Sequence, residues 1–284
     1  MMGKMSLGIF SPEVYANSPA ELFRKIKAYG FEQVQFDFLS VCDEEMPAFI
    51  SDATLAECKL QAERNGVKIS VLNGTYNMCH PEKAVREDGA KRFWEICRAA
   101  DALGCPVVSL CTGTRTRDNM WMAHPENCKP EAWTDLSASV EKALEAAEAY
   151  HIVLGLETEA SNVCHSAEKV QRLIRDMRSD RLRVIMDCAN LFGAGTAHKA
   201  MVRDVIRKGF DLLGEYVVVA HGKDIQEGSG IDFTYTGNGI VDFRFFLNEL
   251  EKIGFKNGII LHGTKNESEI PLAVVNMRAF EAQD

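Results

Sequence analysis

Residues 215–224 read EYVVVAHGKD, in which Val217, Val218, Val219 and Ala220 run without a polar break into His221, Gly222, Lys223 and Asp224. A β-branched apolar run with no polar alternation predicts a strand covered on both faces, as in a parallel sheet flanked by helices. His221 stands at the carboxyl end of that strand. The same event recurs three times: IVLGLE (Ile152–Glu157) ends in Glu157, RVIMD (Arg183–Asp187) in Asp187, and GIILH (Gly258–His262) in His262. The intervals are roughly 30 to 40 residues, the length of one strand-plus-helix unit.

In a closed (β/α)8 barrel the carboxyl ends of the strands meet on one rim, so polar residues at those ends read as catalytic. Glu157, Asp187, His221 and His262 together make a shell for one divalent metal ion. Carboxylate oxygens combined with imidazole nitrogens suit Mn²⁺, Co²⁺ or Zn²⁺ and suit Mg²⁺ or Ca²⁺ poorly. Each residue alone has a plainer reading, since a strand-end acid often caps the next helix and a lone histidine often fills a core. Four of them on four strand ends make the shared reading the stronger one.

The rest of the chain supplies the remaining units. Leu7–Phe10 is a short strand, and Ser18-Pro19-Ala20-Glu21 opens a helix with an N-cap serine, a proline at the first helical position and a glutamate three residues after the cap. Gln33–Phe38 is the second strand, Asp52–Asn65 the second helix, Val67–Leu72 the third strand. Glu82–Leu103 follows as a helix whose Phe93, Trp94, Ile96, Cys97 and Ala100 are expected to face inward. Pro106–Cys111 is the fourth strand, and Pro130–Tyr150, Ser166–Met177, Lys199–Lys208, Asp242–Ile253 and Ile270–Phe280 are the later helices. Strands alternating with helices to a count of eight predict an α/β (β/α)8 TIM barrel as one domain over residues 1–284, with a doubly wound open sheet as the alternative.

Composition agrees. The 284 residues carry 46% hydrophobic and 26% charged side chains, those of an ordinary globule with an ample core. No apolar run reaches the roughly 18 residues needed to span a bilayer, and the amino-terminal MMGKMSLGIF has no basic segment followed by a long apolar one. Nine cysteines without CxxC pairs suit reduced, mostly buried thiols. These features point to the cytoplasm and away from membranes. The formal charge of −9 argues against a nucleic-acid partner, and a homo-oligomer is compatible with everything here.

The longest loop, Thr112–Lys129, follows the fourth strand on the active rim and reads as a lid carrying Arg115, Trp121 and His124 to a substrate, or else as a surface excursion packed by Trp121. Asn73 and Tyr76 after strand three, Asn190 after Asp187, and Lys223 offer donors to a polyol. Lys223 reads equally as an ion partner of Asp187 or Asp224. Asp37, Glu159 and Asn162 are weaker candidates, explained as well by turns and caps.

Glu157 in GLETE, Asp187 in MDCAN, His221 in VAHGKD and the glycine pair of GNGIVDF (Gly237–Phe243) resemble the xylose-isomerase-like TIM barrels described as sugar phosphate isomerases/epimerases. That group includes ketose 3-epimerases, keto-inositol dehydratases and, more distantly, endonuclease IV. The resemblance covers nearly the whole chain. It implies that Glu157, Asp187 and His221 hold one divalent metal, with a fourth ligand at the end of strand eight. There the epimerases have glutamate, and this chain has His262.

Chemistry follows from such a shell. A divalent cation chelated by a ketone and a neighbouring hydroxyl neutralises a developing enediolate, which acidifies the carbon between them. Glu157 is placed to take that proton, His262 to act as a ligand or as an acid on the opposite face, and Lys223 to assist. The expected activity is metal-dependent isomerisation or epimerisation of a small ketose or keto-polyol. The alternatives are β-elimination from a keto-sugar or keto-inositol, an endonuclease IV-like phosphodiesterase, which needs more metal ligands and a basic groove, and a non-catalytic scaffold of the same fold.

Overall fold

The computed structural model describes residues 5–282. The first four residues, part of the amino-terminal stretch read for a leader, lie outside the described residues. Nine strands are found among those described: β1 Leu7–Phe10, β2 Gln33–Phe36, β3 Lys68–Asn73, β4 Val107–Leu110, β5 Val153–Glu157, β6 Leu182–Asp187, β7 Val217–Ile225, β8 Phe233–Tyr235 and β9 Ile259–Leu261. Eight of them pair in parallel in the order β6-β5-β4-β3-β2-β1-β9-β7, and β7 returns to β6 to close the ring. The fold is a closed (β/α)8 barrel, not the open sheet.

The outer ring is built from α1 Pro19–Ala28, α2 Leu39–Cys42, α3 Asp52–Asn65, α4 Lys83–Leu103, α5 Pro130–Ala149, α6 Ala167–Met177, α7 Val202–Leu213, α8 Phe243–Lys252 and α9 Ile270–Ala282. Local chemistry sets their starts. Ser18 accepts the Glu21 backbone N–H at α1, Ser51 that of Thr54 at α3, and Asp242 that of Phe245 at α8. Trp94 departs from the expected inward stripe of α4: it is 39% exposed and meets Tyr150 edge-on, while Phe93, Ile96, Cys97 and Ala100 are buried. One residue beyond Phe93 turns about 100° around the helix, which carries Trp94 off the buried face. No helix among the described residues is long and apolar enough to cross a membrane.

Strand alternation sorts the barrel residues. Outward positions such as Val34, Phe36, Leu72, Val108, Leu154, Leu156, Val184 and Met186 join the helices in the main core. Inward positions form a separate apolar cluster, Val71, Val107, Ile185, Val219 and Ile260, inside the barrel. Two residues further along the same strands come Asn73, Ser109, Asp187, His221 and His262. Period two therefore stacks a polar ring on an apolar plug.

The one strand that sequence periodicity does not show is β8. It pairs antiparallel with the far end of β7, Lys223 opposite Tyr235 and Ile225 opposite Phe233, so β7 runs past His221 as a hairpin arm. The return loop is held by Asp224, whose carboxylate accepts the backbone N–H groups of Ile225, Gly237, Gly239 and Val241. A Cβ on Gly239 would lie 2.3 Å from the Ile225 carbonyl oxygen and 2.4 Å from Asp224 Oδ1, and Gly237 sits at φ +83°. Both glycines are demanded by that turn.

Candidate active site

β5, β6 and β7 end side by side and deliver Glu157, Asp187 and His221 to one point, where one ligand atom from each lies within 4.8 Å of the others. His221 is fully buried, with Nδ1 3.3 Å from Glu157 Oε1 and 3.7 Å from Asp187 Oδ2. Its other nitrogen, Nε2, donates to Gln35 Oε1 at 2.8 Å. That bond fixes the ring and turns Nδ1 toward the carboxylates, the usual way a ligating histidine is oriented. Asp187 Oδ1 accepts the Ala189 and Asn190 backbone N–H groups, and Asn190 Nδ2 donates to Glu157 Oε1 at 2.6 Å.

Charge is tightly balanced here. Burial alone would raise the Asp187 carboxyl, but the Lys223 ammonium and His221 outweigh it and hold it well below the usual carboxylate range. Burial alone would lower the His221 imidazole, yet the neighbouring Glu157 and Asp187 push it up to about 9. Lys223 is likewise held charged against burial by Asp187, Glu157 and Glu159. Its Nζ lies 3.3 Å from Asp187 Oδ2 and 4.1 Å above the Phe233 ring.

The residues fit a divalent cation. Asp187 Oδ2 is buried and, although Lys223 is in ion-pair range, no donor is aligned to hydrogen-bond it. A buried carboxylate oxygen left in that state is unusual unless a ligand is meant to meet it. Two carboxylate oxygens and one imidazole nitrogen would leave coordination positions for substrate oxygens, as in catalytic metal sites.

His262 is held apart from that group. Its Nδ1 lies 2.6 Å from Glu13 Oε1, its ring 5.0 Å from Phe10 and 5.9 Å from the His221 ring. Glu13 also accepts the Gly263 and Thr264 backbone N–H groups and the Thr264 hydroxyl. Burial alone would raise the Glu13 carboxyl, but His262 and these donors lower it, so it is a carboxylate. Nδ1 facing an ionised carboxylate at 2.6 Å must carry hydrogen. The Gly263 N–H, 2.7 Å from Nδ1 and 2.8 Å from Glu13 Oε1, therefore gives its hydrogen to the oxygen.

A cavity of about 690 Å³ opens above the cluster. Glu157, Lys223 and His262 line it, with Asn73, Thr75, Ser109 and Gln35 as neutral polar groups, Phe10, Trp121 and Phe233 as an aromatic wall, and Glu45 and Glu159 as further acids. Asn73 is set by its neighbours: Nδ2 donates to Asp37 Oδ2 at 2.6 Å, and Oδ1 accepts from the Ser109 hydroxyl. Asp37 is buried, which pushes its carboxyl up to about 7. Trp121 is 52% exposed at the mouth.

Other rim candidates are engaged elsewhere. Tyr76 is buried against Gly89 and Phe93, its hydroxyl without a partner. Arg115 is bound to Asp135 at 2.6 Å and to the Cys79 carbonyl, and His124 caps the turn Pro125–Cys128. Asn190 acts on Glu157 rather than lining the cavity. Asn162 ties the stem of the Thr112–Lys129 loop, accepting from Gly113 N–H and donating to the Met120 carbonyl. Glu13, Gln35 and Ser109 were missed by strand-end reasoning. Gln35 carries a readable signal, because Gln33, Gln35 and Asp37 put polar residues at every second position of an otherwise apolar strand.

Comparison with solved structures gives the same architecture. The 3-keto-D-glucoside 4-epimerase of E. coli superposes with a TM-score of 0.73 at 16% identity, over 97% of this chain and 100% of that one. A D-tagatose 3-epimerase-like protein gives 0.76 at 18%, over 98% and 97%. The IolI protein with a bound zinc atom gives 0.70 at 15%, over 98% and 96%. At such identities the likeness is one of fold. No curated relative matches the chain by sequence. A family model does, across residues 23–281, and on that match the chain belongs to the xylose isomerase-like TIM barrel family.

Proposed function

We propose that the protein is a divalent-metal-dependent sugar isomerase or epimerase acting on a small, uncharged ketose or keto-polyol, with Glu157 as metal ligand and base. One observation carries this reading: Glu157 belongs both to the Glu157–Asp187–His221 cluster and to the wall of the cavity. A cation bound there supplies Lewis-acid stabilisation of an enediolate. The chain's own groups do the rest. Glu157, held by Asn190, accepts the proton from the carbon beside the ketone. Lys223, charged and buried, gives a donor to a substrate oxygen, while Gln35, Asn73 and Ser109 offer neutral partners to hydroxyls.

The charge of the cavity supports an uncharged substrate. Away from the metal cluster the described lining offers Glu45, Glu159 and the ammonium of Lys223, which Asp187 already pairs, and no arginine. A phosphate group reaching beyond the metal would find no guanidinium fork among them.

The test is solvent-deuterium incorporation into D-tagatose by NMR, with Mn²⁺, Co²⁺ or Zn²⁺ saturating. Glu157→Gln keeps size and one ligating oxygen but no basic carboxylate, so exchange should fall by about 10²-fold or more, the usual scale for losing a general base. Exchange at the wild-type rate in that variant would refute Glu157 as the base.

A further inference from the structure

We propose that Glu13 and His262 form a carboxylate–imidazole pair whose Nε2 serves the cavity as the second proton-transfer group, outside the metal's ligand set. The inference rests on the enediolate reading above. Its basis is geometric. Glu13 comes from the turn after β1, and His262 follows β9. They are 249 residues apart in sequence, and their side chains meet at 2.6 Å. With Nδ1–H given to Glu13, Nε2 is the nitrogen left to act, and His262 lines the cavity. A carboxylate behind an imidazole fixes ring and tautomer and steadies the cation form, the arrangement used where histidine moves protons.

Glu13 cannot take the fourth ligand's place itself, because both its oxygens are occupied by His262, Gly263 and Thr264. It is a positioning residue. β9 lies three strands round the ring from β5, so His262 and Glu157 face the cavity from well-separated sides. In the step assigned to them, Glu157 takes the carbon-bound proton and the bonding pair moves to the carbonyl oxygen as an enediolate. The imidazolium of His262 then gives its Nε2 proton to the same carbon from the other side, and the ketone re-forms with inverted configuration. Glu157 is left protonated and His262 neutral, and each resets against water.

Two measurements decide the matter without turnover. In ¹⁵N-imidazole-labelled, Zn²⁺-loaded protein, neutral His262 should carry hydrogen on Nδ1 and none on Nε2. In Co²⁺-loaded protein the d–d absorption should be the same in wild type and His262→Asn. A bare Nδ1, or a Co²⁺ spectrum altered by the substitution, would overturn the proposal. With D-tagatose in D₂O, His262→Asn should cut epimer formation about 10²-fold and raise the ratio of deuterium wash-in to epimer formed at least about tenfold. Glu13→Gln, which keeps an acceptor but not the charge, should lower kcat about tenfold with KM unchanged. Equal loss of wash-in and epimerisation in His262→Asn would also overturn the proposal. Absence of any exchange by the wild type would instead count against the enediolate reading, leaving the two spectroscopic results to judge the pair.

Discussion

Replacing Gln35 by leucine isolates the bond that orients His221. The side chains are similar in size, so what is lost is the Oε1 acceptor 2.8 Å from His221 Nε2. His221 is 0% exposed, so no bulk water can replace it. Leaving a buried donor unsatisfied costs about 1–3 kcal/mol. Loss of an outer partner to a ligating histidine typically costs about 10–100-fold in metal affinity, or about 1.4–2.8 kcal/mol at 1.4 kcal/mol per decade. The first figure bears on folding, with or without metal, and the second on metal affinity, through the freedom of the ring to turn Nδ1 away from Glu157 and Asp187. The assay is Zn²⁺ competition with a chromophoric chelator, alongside thermal unfolding with and without Zn²⁺. Gln35→Leu should bind zinc about 10–100-fold more weakly and lose part of the metal-induced rise in Tm. Gln35→Glu returns an acceptor and should bind at least as tightly as the wild type. Wild-type affinity in a folded Gln35→Leu would refute the claim that Gln35 sets the ligand.

Asp187→Ala removes the buried Oδ2 that no donor satisfies, and should leave well under one zinc per folded chain by elemental analysis. Full stoichiometry would mean the metal lies elsewhere. Asp37 gives a pH signature: its folded value of about 7 lies above its ordinary 3.8, so the unfolded chain releases that proton first. Stability from this group is therefore present below the ordinary value and is lost as pH rises toward 7. Asp37→Asn should gain on the wild type by on the order of 3 kcal/mol between pH 4 and pH 8, read by urea unfolding. A pH-independent difference would show that Asp37 ionises freely.

Much of the barrel is legible because strands such as β4, β5 and β6 are buried on both faces, so their apolar runs and their ends are visible in the sequence. The helix Asp52–Asn65 is found with the expected ends, and β5 and β6 fall within one residue of theirs. The direction of loop side chains is less legible. Arg115 and Tyr76 follow strands on the rim, yet Asp135 and the α4 glycine take them. Strand periodicity carries no information about such partners. Glu13 is harder still, since its meaning depends on a histidine at the other end of the chain. The β7–β8 hairpin is three residues wide on its short side, too brief for any period to show.

The apolar plug of Val71, Val107, Ile185, Val219 and Ile260 fixes how molecules reach the chemistry. It separates the upper cavity from a smaller hollow at the barrel's other end, whose lining includes four of those five residues. The mouth is thus entrance and exit at once, and nothing can be threaded through. A product must back out before the next molecule enters. Each turnover is a separate visit.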